Sequence, residues 1–480
     1  MLRRFRTVIL LVFGLLMPWG GDAHAYSVLT HEQLIDLAWK DSIVPLLLSR
    51  YPNLTPAQLD EARAYAYGGC VIQDIGYYPF GDLNYSNLTH YVRTGDFVIN
   101  LFRDAQNADE LAFAIGALSH YVGDTVGHAE ATNLAVPIEF PKLRAKYGPV
   151  VNFAEGQREH VQTEFAFDIN EIAHHRVAPV HYLRHIGLEV PVKLLALAFY
   201  QTYGVGEDFT GTRGRRVNVR AYRFAVRNFI PRIAYAVTLL HRRHEPDDPQ
   251  TPEALEFEKE AAAVGIENDW QAYRHKAGIG TYALAGLLFV IPKFGPLKVV
   301  AVKGPTEETE AKYMLSVAMS MAAFRQTLVR FTPPGSAAAK AEAGPETDGQ
   351  ARLVAVSAAA NNLAAIPGKA QNAARDPHHP LPNRDLDTGR VVQPGGYSLT
   401  DSTYAHLLHL LTRKPTDPIP AGIKEDILAY YADPDAPITT KKNAQLWAQV
   451  QADLATLQTM PTSPWPEPFP TYDRDTSSGN

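Results

Sequence analysis

The sequence predicts an all-α protein. Apolar residues recur every three or four positions over long stretches, as in Leu111, Ile115, Leu118 and Val122, and this spacing places them on one face of a helix. The strict alternation of apolar and polar residues that marks a half-buried strand persists nowhere long enough to indicate a sheet. Because 46% of the residues are hydrophobic, the chain can bury a sizeable core, and a globally disordered protein is excluded.

The first 25 residues have the pattern of a secretory signal peptide. Three arginines precede a short apolar run, and the Ala-His-Ala sequence at 23–25 fits the small-x-small pattern of a cleavage site. The apolar run is shorter than the ~20 residues that a membrane span needs. We therefore expect cleavage after Ala25, a mature chain that begins at Tyr26, and a secreted or periplasmic location.

Composition divides the chain into six segments. Helical patterning is interrupted after residue 332, where alanine, glycine, proline and asparagine dominate, and such composition favours a linker. The predicted segments are a signal peptide (1–25), a helical domain (26–250), a helical extension (251–332), a linker-like segment (333–396), a C-terminal helical segment (397–460) and a disordered tail (461–480). Within the extension, the apolar stretch from Tyr282 to Pro292 is predicted to be a buried helix or an interfacial segment, since it is too short to span a membrane.

Three helix starts are predicted from capping boxes. Thr30, Asn107 and Asn152 are each followed three residues later by glutamine or glutamate, a pair that satisfies two backbone amides at a helix start. We expect helices to begin at these positions. His31 is then in the first turn of the first helix.

Histidines and carboxylates occur at helical spacing. His120, Asp124 and His128 are four residues apart, so they lie roughly 40° from one another around one helix face. His160 and Glu164 repeat this spacing on the next predicted helix. Two such helices packed face to face offer five metal ligands. The alternative is a pair of buried histidines that pack beside an aspartate without a metal.

Upstream residues can complete such a centre. Asp74 and His90 lie near a loop rich in glycine, tyrosine and asparagine, and His31 follows Tyr26 by five residues. Each of these side chains taken alone is better explained by a structural or solvated position than by a functional role. The α-amine that cleavage would create at Tyr26 has an ordinary pKa of ~8 and can bind a metal once it loses its proton.

These residues together resemble the zinc-dependent phospholipase C and P1/S1 nuclease superfamily. The resemblance covers about Tyr26 to Asp168, and nine ligand positions occur in the family's order. It implies a secreted, all-α domain over 26–250 that carries three zinc ions. The implied ligands are Asp74, His90, His120 and Asp124 for one ion, His128, His160 and Glu164 for a second, and Tyr26, His31 and a bridging oxygen of Asp124 for a third.

The resemblance also implies an activity. Members are phosphoric diester hydrolases, and the phospholipases among them cleave the glycerol–phosphate ester of phospholipids with zinc-activated water. The second site has only three protein ligands, which leaves the open position that catalytic zinc requires. Asp74 is implied as a general base in addition to its role as a ligand, so it is the candidate catalytic residue.

The substrate class is left open between two kinds of phosphodiester. Glutamate at position 164 is the residue of the phospholipases, whereas the nucleases have aspartate, but the spacing from Tyr26 to His31 is that of the nucleases. A net charge of −6 provides no strongly basic surface for long nucleic acid. The aromatic residues after Asp74 can cage a choline headgroup, stack a nucleobase or simply pack in a loop; they are Tyr77, Tyr78, Phe80 and Tyr85.

Three functional hypotheses follow. The first is a phospholipase C that acts on phospholipid headgroups at a membrane surface. The second is a nuclease or nucleotidase that acts on short single-stranded nucleic acid. The third is a non-catalytic envelope or surface-binding protein in which zinc only stabilises the fold. No protein partner is predicted.

Overall fold

The prediction of an all-α fold is confirmed. In the described part of the chain, regular structure is helical apart from two strands of two residues each, β1 (Ile419–Pro420) and β2 (Thr462–Ser463), which pair in parallel. The residues that the computed structural model describes are 27–78, 81–209, 218–241, 249–290, 302, 304–333, 378–433 and 435–470. The predicted signal peptide (1–25) and Tyr26 lie outside the described residues.

Short connections join most consecutive helices. In chain order the α-helices are α1 (Val28–Ala38), α2 (Val44–Arg50), α3 (Pro56–Gly69), α4 (Leu83–Tyr91), α5 (Thr94–Asp104), α6 (Ala108–Gly127), α7 (Asn133–Glu139), α8 (Pro141–Tyr147), α9 (Gln157–Ala173), α10 (Val180–Ile186), α11 (Val192–Tyr203), α12 (Val219–Phe224), α13 (Ile230–His241), α14 (Pro252–Glu267), α15 (Trp270–Tyr273), α16 (Ile279–Val290), α17 (Glu307–Phe331), α18 (Ser398–Thr412), α19 (Ala421–Tyr430) and α20 (Ala444–Thr459). Tighter or wider helical turns lie at Trp39–Ile43, Ile72–Tyr77, His128–Thr132, Phe153–Glu155, Ala225–Phe229 and Thr439–Lys442.

Helix α6 lies at the centre of the fold. Most of its residues are buried, because α1, α3, α5 and α17 pack around it. The contact with α3 is unusually close: a Cβ atom placed on Gly116 would lie 2.2 Å from the carbonyl oxygen of Ala66. Glycine is therefore required at this crossing, and the rest of α6 can point side chains in several directions into the interior.

The predicted cap at Thr30 is wrong. Helix α1 begins at Val28, and its N-cap residue, Ser27, makes no side-chain capping bond. The Thr30 hydroxyl donates instead to Asp168 Oδ1 at 2.8 Å. The amides of Leu29 and Thr30 donate to the same carboxylate at 3.0 and 3.1 Å. A carboxylate on α9 thus satisfies the first-turn amides that a local cap would otherwise satisfy.

The other two capping predictions have different outcomes. Asn107 caps α6 as predicted, since its side chain accepts a hydrogen bond from the Glu110 amide at 2.9 Å. Asn152 also forms a capping box, but only for the single turn Phe153–Glu155. Helix α9 begins at Gln157, one residue after Gly156, so the start predicted for this helix is five residues too early.

Residues 378–396, here named the strap, pack against the N-terminal helices. They lie inside the segment whose composition favours a linker, yet the Leu386 amide donates to the His90 carbonyl oxygen at 3.0 Å. The Tyr121 hydroxyl donates to the Pro382 carbonyl oxygen at 2.7 Å, and the Leu386 side chain is fully buried. The strap therefore belongs to the folded core. Further along, Phe469 is also buried, although it falls in the predicted tail.

Helix α16 corresponds to the predicted apolar stretch and is only half buried. Leu284 and Leu288 face the interior, but the opposite side is apolar and open to solvent. Among the described residues no helix is both long and apolar enough to cross a membrane. The exposed side, here named the apolar face, consists of Ile279, Tyr282, Phe289 and Val290, which are 89%, 60%, 71% and 77% exposed.

Candidate metal centre

The fold gathers most of the predicted ligand residues in its interior. Tyr26 lies outside the described residues, but the other predicted ligands all have side chains that are at most 1% exposed. Their donor atoms form three groups in which the atoms lie within 4.8 Å of one another. The groups are His31, His120 and Asp124; Asp74, His90 and His120; and His128, His160 and Glu164.

Asp124 on α6 stands between two of these groups. Its Oδ1 lies 3.3 Å from Nε2 of His31 on α1. Its Oδ2 lies 3.1 Å from Nε2 of His120, one turn earlier on α6, and 3.4 Å from Nε2 of His90 at the end of α4. Because the two oxygens face different imidazoles, this carboxylate has the arrangement needed to bridge two metal ions.

Backbone carbonyls orient the two imidazoles of the group that contains Asp74. His90 Nδ1 donates to the Ser86 carbonyl oxygen at 2.7 Å, and His120 Nδ1 donates to the Cys70 carbonyl oxygen at 3.0 Å. Both rings therefore turn Nε2 toward Asp74, whose Oδ1 lies 3.3 and 3.9 Å from these two atoms. Fixing one ring nitrogen by a hydrogen bond so that the other can bind metal is the usual second-shell arrangement of zinc sites.

The third group is built by α9 and by the turn that follows α6. His160 Nε2 lies 2.8 Å from Asn133 Oδ1, and an amide oxygen can only accept, so the proton is on Nε2. The lone pair of Nδ1 then faces Glu164 Oε1 at 2.9 Å. Two lone pairs at this distance need a cation between them, either a proton or a metal. The His128 ring stacks on His160 with 5.0 Å between centroids.

The electrostatics of the cluster favour metal binding. Burial lowers the pKa of His31, His128 and His160, which keeps these imidazoles in the neutral form that binds metal. Although burial opposes it, the neighbouring imidazoles, His120 first, hold the pKa of Asp124 well below its usual range. Imidazole nitrogens and carboxylate oxygens are among the ligands that bind zinc in proteins, so the residues present fit zinc.

Sequence reasoning missed one carboxylate at this centre. Asp387, in the strap, is fully buried, and its Oδ1 lies 3.9 Å from His128 Nε2. The hydroxyls of Tyr91 and Tyr397 donate to its other oxygen at 2.8 and 2.7 Å. The only sequence signal is a pair of aspartates, at 385 and 387, in a stretch that otherwise has the composition of a loop.

The aromatic residues after Asp74 do not form an open cage. Tyr77, Tyr78 and Tyr85 are buried, and the Tyr77 ring lies 5.5 Å from the ring of His90. Of the interpretations given above, loop packing is the one that these positions support. Phe80 lies outside the described residues.

Comparison with known proteins agrees with the geometry of the centre. The family model described as zinc dependent phospholipase C matches residues 30–206, a range that includes every described residue of the three donor groups. Neither the comparison with curated proteins nor the comparison with solved structures gives a match. The strap and Asp387 lie outside the matched range. Residues 30–206 therefore match the zinc-dependent phospholipase C and P1 nuclease superfamily, and this match indicates a zinc-dependent hydrolase.

Proposed function

We propose that the protein is a secreted phospholipase C that hydrolyses the glycerol–phosphate ester of phospholipids and releases the phosphorylated headgroup. The observation that carries this proposal is the buried cluster of imidazoles and carboxylates, in three donor groups, within a domain that matches the zinc-dependent phospholipase C family. Neither a cluster of buried histidines nor a family match alone would support an activity as strongly as the two together.

The proposed metal content is three zinc ions, held by the ligand sets that the resemblance implies. When bound, zinc supplies a Lewis acid that polarises phosphate oxygens and lowers the pKa of water. The amine of Tyr26 would complete the set that contains His31. The bonds from Leu29 and Thr30 to Asp168 support this part of the proposal, because they fix the first turn of α1, which contains His31.

In the proposed reaction a water oxygen attacks the phosphorus atom and the bond from phosphorus to the glycerol oxygen breaks. Asp74 accepts the proton that the water loses, and the departing glycerol oxygen takes up a proton, so diacylglycerol leaves as a neutral alcohol. Asp74 is suited to this role because it is buried and its Oδ1 is held beside His90 at 3.3 Å. A general base must lie within hydrogen-bonding reach of the proton that it takes up, so this role requires the reacting water to bind beside Asp74.

Three features favour a lipid over a nucleic acid as the substrate. Glu164 is the residue that phospholipases of the superfamily have at this ligand position, as the resemblance implies. The apolar face of α16 exposes two aromatic side chains, Tyr282 and Phe289, which is the kind of surface that enters the headgroup region of a bilayer. The net charge of −6 weakens the case for a long polyanion.

Phosphorus NMR tests the proposal. The zinc-loaded mature protein is mixed with vesicles of phosphatidylcholine, vesicles of phosphatidylethanolamine or a short single-stranded DNA, with and without chelator. We expect a chelator-sensitive signal of a phosphorylated headgroup from one of the lipids. Nucleotide signals would instead identify a nuclease, and no turnover by a protein that retains zinc would favour a structural role for the metal.

Two aspartate-to-asparagine variants test the role of Asp74, one at the site and one as its control. Asp74→Asn keeps the size of the side chain and is expected to fold and to lose turnover. Asp109→Asn changes a partly exposed acid at the start of α6, away from the centre, and is expected to retain turnover. Equal activity of the two variants would contradict the role assigned to Asp74.

A further inference from the structure

The strap contacts residues beside the third donor group. Its backbone is attached at two consecutive residues: the Leu386 amide donates to the His90 carbonyl oxygen at 3.0 Å, and Asn133 Nδ2 donates to the Asp387 carbonyl oxygen at 2.8 Å. The same Asn133 accepts from His160 through its Oδ1. One asparagine therefore ties the strap to a predicted metal ligand.

The side chain of Asp387 is fixed with one oxygen toward the donor group. Its Oδ2 accepts hydrogen bonds from Tyr91 and Tyr397. Its Oδ1 is buried and has no hydrogen-bonding partner among the described residues, and it lies 3.9 Å from His128 Nε2. His128 Nε2 and Glu164 Oε2 are also buried and lack hydrogen-bonding partners in the described part of the chain. His128 and Glu164 belong to one donor group whose atoms lie within 4.8 Å of one another, and Asp387 Oδ1 lies beside His128 Nε2.

We infer that Asp387 is a further metal ligand, and that it completes the site formed by His128, His160 and Glu164. A buried carboxylate oxygen without a hydrogen bond is costly unless a cation compensates it. The three residues of the group leave a fourth position open at a tetrahedral zinc ion, and Asp387 Oδ1 is the nearest carboxylate oxygen that the strap offers to His128. The inference rests on the proposal that the centre holds metal, but it does not depend on the substrate.

If Asp387 binds the metal, the strap controls the access of substrate to this site. With Asp387 bound, the site has four protein ligands and is closed, like structural zinc sites. A phosphodiester can then reach the metal only when Asp387 and the strap withdraw. The strap, which has the composition of a linker, would then control whether substrate reaches the metal.

Zinc binding by Asp387→Asn tests the inference. The substitution keeps the side-chain volume and a carbonyl oxygen for the two tyrosines but removes the charge. We expect one zinc ion to bind at least about tenfold more weakly in a chelator competition, since even loss of a second-shell partner costs ~10–100-fold. The other ions should bind as in the wild type. Unchanged zinc affinity at every site would overturn the inference.

Asp385→Asn is the matched control. Asp385 is also a buried acid of the strap, but its oxygens accept from the Thr400 hydroxyl at 2.7 Å and from the Thr388 amide at 3.1 Å. We expect this variant to bind zinc like the wild type. Weakening of zinc binding by Asp385→Asn to the same extent would mean that any damage to the strap disturbs the site, which would overturn the specific role of Asp387.

A crystal structure of the zinc-loaded wild type provides a second measurement that does not require a variant to fold. A distance of about 2.0–2.2 Å from Asp387 Oδ1 to the metal supports the inference, and a water molecule between them overturns it. Failure of the proposed function is distinguishable: zinc ligated by Asp387 without release of any headgroup would reject the phospholipase activity alone. A wild type that binds no zinc would reject both.

Discussion

Asp124 Oδ1 lies 3.3 Å from His31 Nε2, so the start of the first helix and the last turn of α6 meet at one carboxylate. The other oxygen of Asp124 faces His90 and His120. Asp124 thus contacts imidazoles that belong to two donor groups, whereas His31 belongs to one. The two residues are therefore expected to differ in how much metal their loss releases.

We predict that Asp124→Ala loses two metal ions per chain and that His31→Ala loses one. The reason is that a bridging carboxylate holds both of its ions, whereas a terminal imidazole holds one. Elemental analysis of the dialysed variants gives the zinc content per chain. His409→Ala is the control, because this half-exposed histidine on α18 pairs only with Asp453 among the residues described, at 3.1 Å. Equal loss from the Asp124 and His31 variants would contradict a bridge.

Zinc binding is predicted to strengthen as the pH rises. Burial lowers the pKa of His90, but its hydrogen bonds to Asp124 and Asp74 outweigh burial and raise the pKa to about 10. In the metal-free protein His90 therefore keeps a proton at neutral and mildly alkaline pH, and a zinc ion has to displace it. Affinity at this site should increase by about tenfold per pH unit for the one proton released, up to about pH 10.

Chelator competition at several pH values between 7 and 9 measures this dependence. The comparison variant is His90→Asn, which has no proton to release at this position. When the logarithm of its zinc affinity is plotted against pH, the slope should be lower than that of the wild type by about one, because one proton fewer is released. A wild-type affinity that is flat over this range would show that His90 carries no proton before zinc binds.

Local periodicity predicts the fold and much of the candidate site. The i, i+4 spacing of His120 and Asp124 is sufficient to place both side chains on one face of α6, and the structure has them 3.1 Å apart. His160 and Glu164 are likewise paired on α9, although this helix begins later than its capping box indicates. These residues are predictable because helix geometry alone fixes their relative positions.

Asp387 is not predictable in this way. It is 254 residues from Asn133, to which its carbonyl oxygen is bonded, and no helix relates the two. Its buried carboxylate accepts hydrogen bonds from Tyr91 on α4 and from Tyr397, the N-cap residue of α18. The prediction for Thr30 is wrong for the same physical reason. Its side chain does not cap the helix locally but contacts Asp168, which is 138 residues away. When a polar side chain pairs with a residue that is distant in sequence, the local sequence pattern predicts the wrong partner or no partner.

The apolar face of α16 is predicted to bind lipid. Replacement of Tyr282 and Phe289 by serine should weaken binding to phosphatidylcholine vesicles at least about tenfold, because burial of one such side chain contributes roughly 1.5–3 kcal/mol. Hydrolysis of a soluble short-chain phospholipid should be unaffected. Co-sedimentation with vesicles measures the binding.

Phe224→Ser is the control for the apolar face. Phe224 is also well exposed, at 58%, but lies on α12 rather than α16. This variant should bind vesicles like the wild type. If it loses as much binding as the α16 variant, adsorption of lipid is general and α16 has no special role.

The buried ion pairs of Arg176 are predicted to attach the extension to the matched domain. Its Nη2 lies 2.6 Å from Glu171 Oε1 on α9 and 2.9 Å from Glu310 Oε1 on α17, and both carboxylates are fully buried. Arg176→Met leaves two buried negative charges uncompensated, so the free energy of unfolding should fall by about 3–5 kcal/mol. Arg158→Met is the comparison, because Arg158 is 49% exposed, pairs with Glu159 at the surface and should contribute about 1 kcal/mol at most. Urea unfolding of the zinc-loaded proteins measures both changes, and a loss of similar size in the two variants would mean that Arg176 does not hold α17 against the domain.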